Sequence, residues 1–330
     1  MYLNKTAVKK MNLLGKKDIP FIFIIDFEEK KPIIVDLENA LKENIFFDFN
    51  GFKNYIISQE QKSAFQKKSI KFQKFPVKYS RYLQSFKKAL KEIKFGNSYL
   101  INLTFQTPII TNFTFKNIFF QSRTKYKLLF KNKFVVFSPE TFFQIKNNII
   151  STFPMKGTIN ANIKNAEEVL IKDKKELAEH NTVVDLLRND LSIVAEKVRV
   201  EKFRFVDKIK TNSGDLLQIS SKISGNLNKN WKGKLGDIFN TLLPAGSICG
   251  APKKKTVEII KSTENYSRGY YTGICGYFDG KTVDSCVMIR FIEKDNNGEM
   301  FFKSGGGITV FSDPKKEYKE LIDKIYVPVV

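Results

Sequence analysis

Two short segments carry residue types that can do chemistry together: Ser138-Pro139-Glu140 and Pro154-Met155-Lys156-Gly157-Thr158. Between them, 141–145 and 148–153 read as strands joined at Lys146-Asn147-Asn148. If these strands pair about a turn centred near Asn147, Glu140 lies opposite Pro154 and Lys156 shares its side-chain parity. The two would then be diagonal neighbours about 7–8 Å apart between backbones. A carboxyl and an amine so placed can act as general acid and nucleophile, the amine being activated where burial lowers its pKa. In a chain this rich in Lys, the same two residues would also make an ordinary surface ion pair. That surface pair is the commoner arrangement, and the flanking Pro and Gly-Thr, which fix the backbone, keep the active reading beside it.

Four glutamates form two further pairs. Glu176 and Glu179 in KELAEH, and Glu317 and Glu320 in EYKELIDK, are spaced i, i+3, so each pair shares a helical face, with Lys324 one turn beyond Glu320. Facing one another, they could hold a hard cation through one or two carboxylates and leave room for water and an anion, as Mg²⁺ prefers. Taken singly, each pair would be a solvated helix face. Ser304-Gly305-Gly306-Gly307 after a strand, and Gly246 to Lys253 opening a helix, offer backbone N–H groups to anions or simply make tight turns. The one histidine, His180, cannot build a His-rich metal site and reads as structural. Neither a Gly-x-Ser-x-Gly nucleophile nor a dinucleotide fingerprint is present.

The elements that must position these groups alternate long strands with single helices. FIFIID (21–26) and PIIVDL (32–37) read as a hairpin in a β-rich segment spanning 1–75, and the Lys/Gln-rich stretch 57–74 reads as a connector. Tyr79, Tyr82, Leu83, Phe86, Leu90 and Ile93 mark an amphipathic helix ended by Gly96. Strands follow at 98–106 and 133–137, a helix at 172–191, and a strand at 194–206. Helices at 233–243 and 252–263 precede strands at 271–278, 282–293 and 299–304, and Pro314 opens a last helix. The expected class is α+β, antiparallel sheets with a sandwich-like core flanked by helices, with a catalytic domain at 76–330.

The 330 residues, 42% apolar and carrying 31 Phe, exclude a mainly disordered chain. No run reaches the roughly 18 apolar residues of a spanning helix, and the first residues lack a signal-peptide pattern. Three Cys without Cys-x-x-Cys spacing argue against a disulfide framework or thiolate metal site. A cytoplasmic protein that meets no membrane is expected. The formal charge of +22 invites a nucleic-acid reading. However, the Lys residues are dispersed, Arg occurs only seven times, and no nucleic-acid-binding motif appears, so no nucleic-acid partner is expected.

From about Tyr79 to Lys324 the ordered segments GNSYLINLT, FSPETF, PMKGTI, KELAEHNTVVDLLRNDL, LLPAGSICGAPK, ENYSRGYYTGICGYF, SCVMIR, SGGGITVFSD and EYKELIDK resemble the chorismate-binding enzymes. That family includes anthranilate, aminodeoxychorismate, isochorismate and salicylate synthases. The resemblance implies Mg²⁺ held by Glu179 and Glu320, with Glu176 and Glu317 in support. It implies Tyr271 and Arg290 on the enolpyruvyl carboxylate, Gly305 and Gly307 as backbone donors, Lys324 beside the metal-bound carboxylate, and Thr158 at the substrate. Lys156-Gly157-Thr158, where anthranilate synthases carry Ala-Gly-Thr, resembles the aminodeoxychorismate branch. There the Lys attacks C2 of chorismate, the Glu of Ser-Pro-Glu assists departure of the C4 hydroxyl, and ammonia from a separate glutamine amidotransferase subunit adds at C4. Anthranilate synthesis is the alternative. Gln218 stands where many relatives have His, so a role needing an imidazole is not available there, and no tryptophan-feedback element is seen.

Overall fold

The computed structural model describes residues 3–60, 69–211 and 214–328. Two antiparallel sheets of nine strands each form the centre of the described residues. The first contains β1 (Phe21–Ile25), β2 (Ile33–Asp36), β9 (Thr141–Lys146), β10 (Ile149–Thr152), β11 (Met155–Asn160), β12 (Glu196–Thr211), β13 (Gly214–Asn226), β15 (Ile274–Phe278) and β16 (Val283–Val287). Its order is β11-β13-β10-β9-β16-β15-β1-β2, with β12 on the other side of β13. The second holds β3 (Ile45–Phe49), β4 (Phe52–Lys53), β5 (Phe72–Lys74), β6 (Leu100–Thr111), β7 (Tyr126–Phe130), β8 (Phe134–Ser138), β14 (Gly250–Ala251), β17 (Phe291–Lys294) and β18 (Met300–Ile308). Around them lie helices α1 (Lys5–Lys16), α2 (Tyr79–Lys94), α3 (Phe115–Gln121), α4 (Ala166–Lys172), α5 (Lys174–Ser192), α6 (Leu235–Leu242), α7 (Gly246–Cys249), α8 (Lys253–Thr263) and α9 (Pro314–Asp323). No described helix is long and apolar enough to cross a membrane.

The unbroken apolar run of β1 follows from its place in this layering. Ile22 and Ile24 pack between the sheets with Phe47, Phe49 and Leu128, while Phe21, Phe23 and Ile25 face the helix-covered side with Met11 and Phe239. A strand buried on both faces has no polar side to show. A third cluster packs α3 on the outer face of the second sheet through Phe115, Ile118 and Phe119. The strands of the N-terminal residues enter both sheets, β1 pairing with β15, β3 with β7 and β5 with β6.

The expected hairpin of β1 and β2 and the helix from Tyr79 are present. Helix α2 buries Tyr82, Phe86, Ala89 and Ile93 along one stripe and ends before Gly96, which adopts φ +79°. Four of the described helices were not expected: α1, α3, α4 and the one-turn α7. In α1, Ala7, Met11 and Leu14 recur at helical spacing, and Asn4 caps the first turn through Thr6 N–H; α4 precedes α5. Of the expected connector, residues 61–68 lie outside the described ones, and Phe72–Lys74 form β5.

Two departures shape the site. The single strand expected at 282–293 is two strands in different sheets, because the chain leaves the first sheet after Val287 and joins the second at Phe291. Arg290, at φ +54°, sits on this crossing. The second departure concerns register. Asn147 and Asn148 both have positive φ and form a two-residue turn pairing Lys146 with Ile149. Extrapolation then sets Glu140 against Met155, one residue beyond the expected Pro154, and a one-residue change reverses parity. Moreover β11 pairs with β13, not with β9. The chain brings Lys156 inward through a bulge after it, at Gly157, where φ is +73°.

Close backbone contact makes one glycine indispensable beside this region. Gly250 has φ +117°, and a Cβ there would lie 1.7 Å from the Leu100 carbonyl oxygen. Gly250→Ala is expected to destabilise the protein by about 2 kcal/mol or more. Urea unfolding of variant against wild type checks this.

Candidate active site

A cavity of about 230 Å³ opens where the two sheets, α9 and the short helix α7 bearing Ser247 meet. Glu140, Lys156, Gln218, Tyr271, Arg290 and Lys324 all line it, as do Gly305, Gly307 and Glu320. Residues spread over 185 positions of chain therefore converge (Glu140 to Lys324). Glu140 comes from the β8–β9 connection, Lys156 from β11, Gln218 from β13, Arg290 from the sheet crossing, and the glycines from β18.

Glu140 is the carboxyl at the centre. Ser247 Oγ donates to its Oε1 at 2.5 Å. Burial pushes its pKa above the ordinary carboxylate value, opposed by the Ser247 bond and by Lys156, Lys324 and Arg290. The neutral acid therefore survives to higher pH than an exposed Glu, and is lost as pH rises through the raised value. Such a group is better suited than an exposed carboxyl to act as a proton donor.

Three cations face this acid. Lys156 Nζ lies 3.7 Å from Glu179 Oε2, with the Lys side chain 25% exposed. The amine is thus only partly buried and lies beside a carboxylate, which corrects the expectation of a fully buried amine. Lys324 Nζ lies 2.6 Å from Glu320 Oε1 and donates to Gly305 O at 3.0 Å. Burial holds Lys324 below the usual lysine value; Glu320 opposes this, and Arg290 and Lys156 add to it. Arg290 stacks on Tyr326 at 5.4 Å, and its Nε is buried without a hydrogen-bond partner. Tyr271 is 2% exposed, and burial pushes its phenol up.

The acidic pairs flank the cavity from two helices. On the α5 side, a Cβ at Gly157 would lie 3.2 Å from Glu176 Oε2. On the α9 side, Glu317 is buried, accepts from Ser312 Oγ at 2.9 Å, and would lie 3.8 Å from a Cβ at Gly306. A Cβ at Gly307 would come within 3.0 Å of Leu100 Cδ1 and 3.7 Å of Lys156 Nζ, so the absent side chain leaves space for the amine. Among the described residues no three acidic, His or Cys side chains gather into a ready cation cage. Thr158 pairs with Gln218 in register, and its side chain lies outside the described ones. His180 is buried, with Nε2 2.7 Å from Ser221 Oγ. Burial first, then Arg204 and Lys156, lower its pKa to about 4.

Sequence reasoning missed Ser247, which sits inside a glycine cluster singled out only for its backbone. It also missed the 2.8 Å ion pair between Asp190 and Lys253, which ties α5 to the start of α8 beyond that loop. Neither has a spacing signal, because both partners are distant in sequence.

A family model for chorismate binding enzymes matches residues 24–329. The chain belongs to that family. It is 50% identical over 323 residues, 98% of this chain and 96% of the relative, to an uncharacterized PabA-like protein of Haemophilus influenzae. It is 36% identical over 197 residues to aminodeoxychorismate synthase component 1 of Bacillus subtilis, covering 57% of this chain and 40% of that one. The menaquinone-specific isochorismate synthase of Escherichia coli has the same fold, with a TM-score of 0.70 at 16% identity over 97% of this chain and 80% of that chain. The expected α+β architecture of antiparallel sheets flanked by helices is thus the family's.

Ser247→Ala withdraws the hydrogen bond that favours the ionised Glu140, so that carboxyl should titrate still higher. Carbon-13 NMR titration of glutamate-labelled wild type and variant checks the direction.

Proposed function

We propose that this chorismate-binding enzyme converts chorismate and ammonia to 4-amino-4-deoxychorismate. The observation that carries the reading is an amine, Lys156, and a carboxyl with raised pKa, Glu140, lining one cavity. Lys156 attacks C2 of the ring, the double bond shifts, and the C4–O bond breaks as Glu140 passes its proton to the departing hydroxyl, releasing water. Ammonia then forms a bond to C4, the double bond returns, the C2–N bond to Lys156 breaks, and the new C4 ammonium returns a proton to the Glu140 carboxylate. Two allylic displacements leave the new nitrogen at C4 and regenerate the amine. Arg290, with Tyr271 beside it, suits a carboxylate, since a guanidinium can bind one bidentately. Lys324 adds a second positive charge for a dianionic substrate.

Magnesium fits the donor chemistry. Glu179 and Glu320, each already beside a lysine, would hold the ion, with Glu176 and Glu317 in support. One or two carboxylates with water and substrate oxygens suffice for this ion. When bound it would offset the ring carboxylate's charge and fix its orientation. The ammonia would come from a glutamine amidotransferase subunit, because the three Cys of the described chain are buried and none is placed as a glutaminase nucleophile.

Mass spectrometry of the product from chorismate and ammonia is the deciding experiment; anthranilate instead would establish the alternative. Lys156→Ala is expected to lower 4-amino-4-deoxychorismate formation at least about a hundredfold, and near-unchanged kinetics would remove the covalent step. Glutamine should support turnover only when an amidotransferase subunit is added, and turnover by the purified chain alone would contradict that partner.

A further inference from the structure

Arg268 stands behind the cavity wall, 1% exposed, and all five of its guanidinium N–H groups have acceptors. Nε donates to Glu264 Oε2 at 2.9 Å, and Nη2 donates to Glu264 Oε1 and to Asn102 O, both at 2.6 Å. Nη1 donates to Ile248 O at 3.0 Å and to Thr272 Oγ1 at 3.3 Å. The Phe27 ring covers one face of the guanidinium at 4.5 Å. Its own carbonyl accepts from Lys303 Nζ at 2.9 Å and from Tyr271 N–H at 3.1 Å. Asn102, Ile248, Tyr271 and Lys303 line the cavity, so one buried residue is bonded to four parts of its wall.

A buried Arg–Glu pair is weak evidence for stability, since apolar replacements of such pairs are often neutral or better. What a planar fork supplies, and a lysine cannot, is fixed direction. Direction matters most at Thr272. This β-branched residue is held at φ +60°, the left-handed region that disfavours a branched side chain. Its N–H donates to Met288 O at 2.9 Å and its hydroxyl to Tyr271 O at 2.6 Å, while Arg268 donates to the same hydroxyl. Met288 lies two residues before Arg290. On the other side, Ile248 follows Ser247, the donor to Glu140.

We propose that Arg268 is a positioning residue for the reaction, setting the Tyr271–Arg290 arm against the Ser247–Glu140 arm through Thr272 and Ile248. This rests on reading the cavity as the chorismate site. The test measures chorismate consumption with ammonia in the full chain and its Arg268→Lys, Thr272→Val and Thr272→Ser variants, giving kcat and KM separately with unfolding curves alongside. Arg268→Lys and Thr272→Val should raise KM and lower kcat by roughly tenfold or more each, as small misplacements do. Thr272→Ser, which keeps the acceptor, should stay within about twofold of wild type. A purely structural role would lower kcat through the folded fraction and leave KM unmoved. Folded variants with wild-type KM, or Thr272→Ser falling as far as Thr272→Val, would overturn the proposal. If Arg268→Lys does not fold, the two Thr272 variants decide. Wild-type protein that consumes no chorismate would overturn the reading of the cavity itself, a result distinct from the variants matching an active wild type.

Discussion

One carboxyl buried among three cations is the constraint on which this structure turns. Glu140 is removed from water, which favours its neutral form, and Lys156, Lys324 and Arg290 pull the other way. Unbalanced, the cations would repel one another in a partly dry pocket. The acidic helices answer that charge, Glu179 beside Lys156 and Glu320 beside Lys324. The result is a cavity suited to an anion, with Lys156 and Lys324 each beside a glutamate and a central carboxyl whose neutral form burial favours.

Such a balance needs groups held at fixed separation, and the two-sheet fold provides it. Each sheet contributes one side: Glu140 leads into β9 and Lys156 lies on β11 in the first, while the backbone of β18 lies in the second. The crossing from Val287 to Phe291 joins them and sets Arg290 between. Irregular backbone appears at these places, in the bulge at Gly157 and the positive φ of Thr272 and Arg290. Strained conformations persist only where the surroundings over-determine them. At Thr272 a fully bonded guanidinium and the bond to Met288 O do so.

Much of the site was legible because its residue types are uncommon together. Ser-Pro-Glu, Lys-Gly-Thr, the paired glutamates and the triple glycine each carry local meaning, and their order resembles one family. The unbroken apolar run of β1 and the helical period of α2 were legible for the same local reason. Helix α1 was not, because its apolar stripe is thin and surrounded by Lys. The break at 288–290 was hidden because Met288 and Ile289 continue an apolar run that gives no sign of changing sheet.

By itself the sequence determined which groups are available for chemistry and which elements bear them, since side-chain identity and hydrophobic period are local properties. Tertiary structure alone decided that Glu140 and Lys156 meet across a cavity instead of along one hairpin. It also decided that the amine is ion-paired and partly exposed, that Ser247 lines the site, and that Arg268 is bonded to the back of its wall. Those outcomes depend on register, sheet crossing and the desolvation of charges by distant parts of the chain, and none of these is encoded within any short segment.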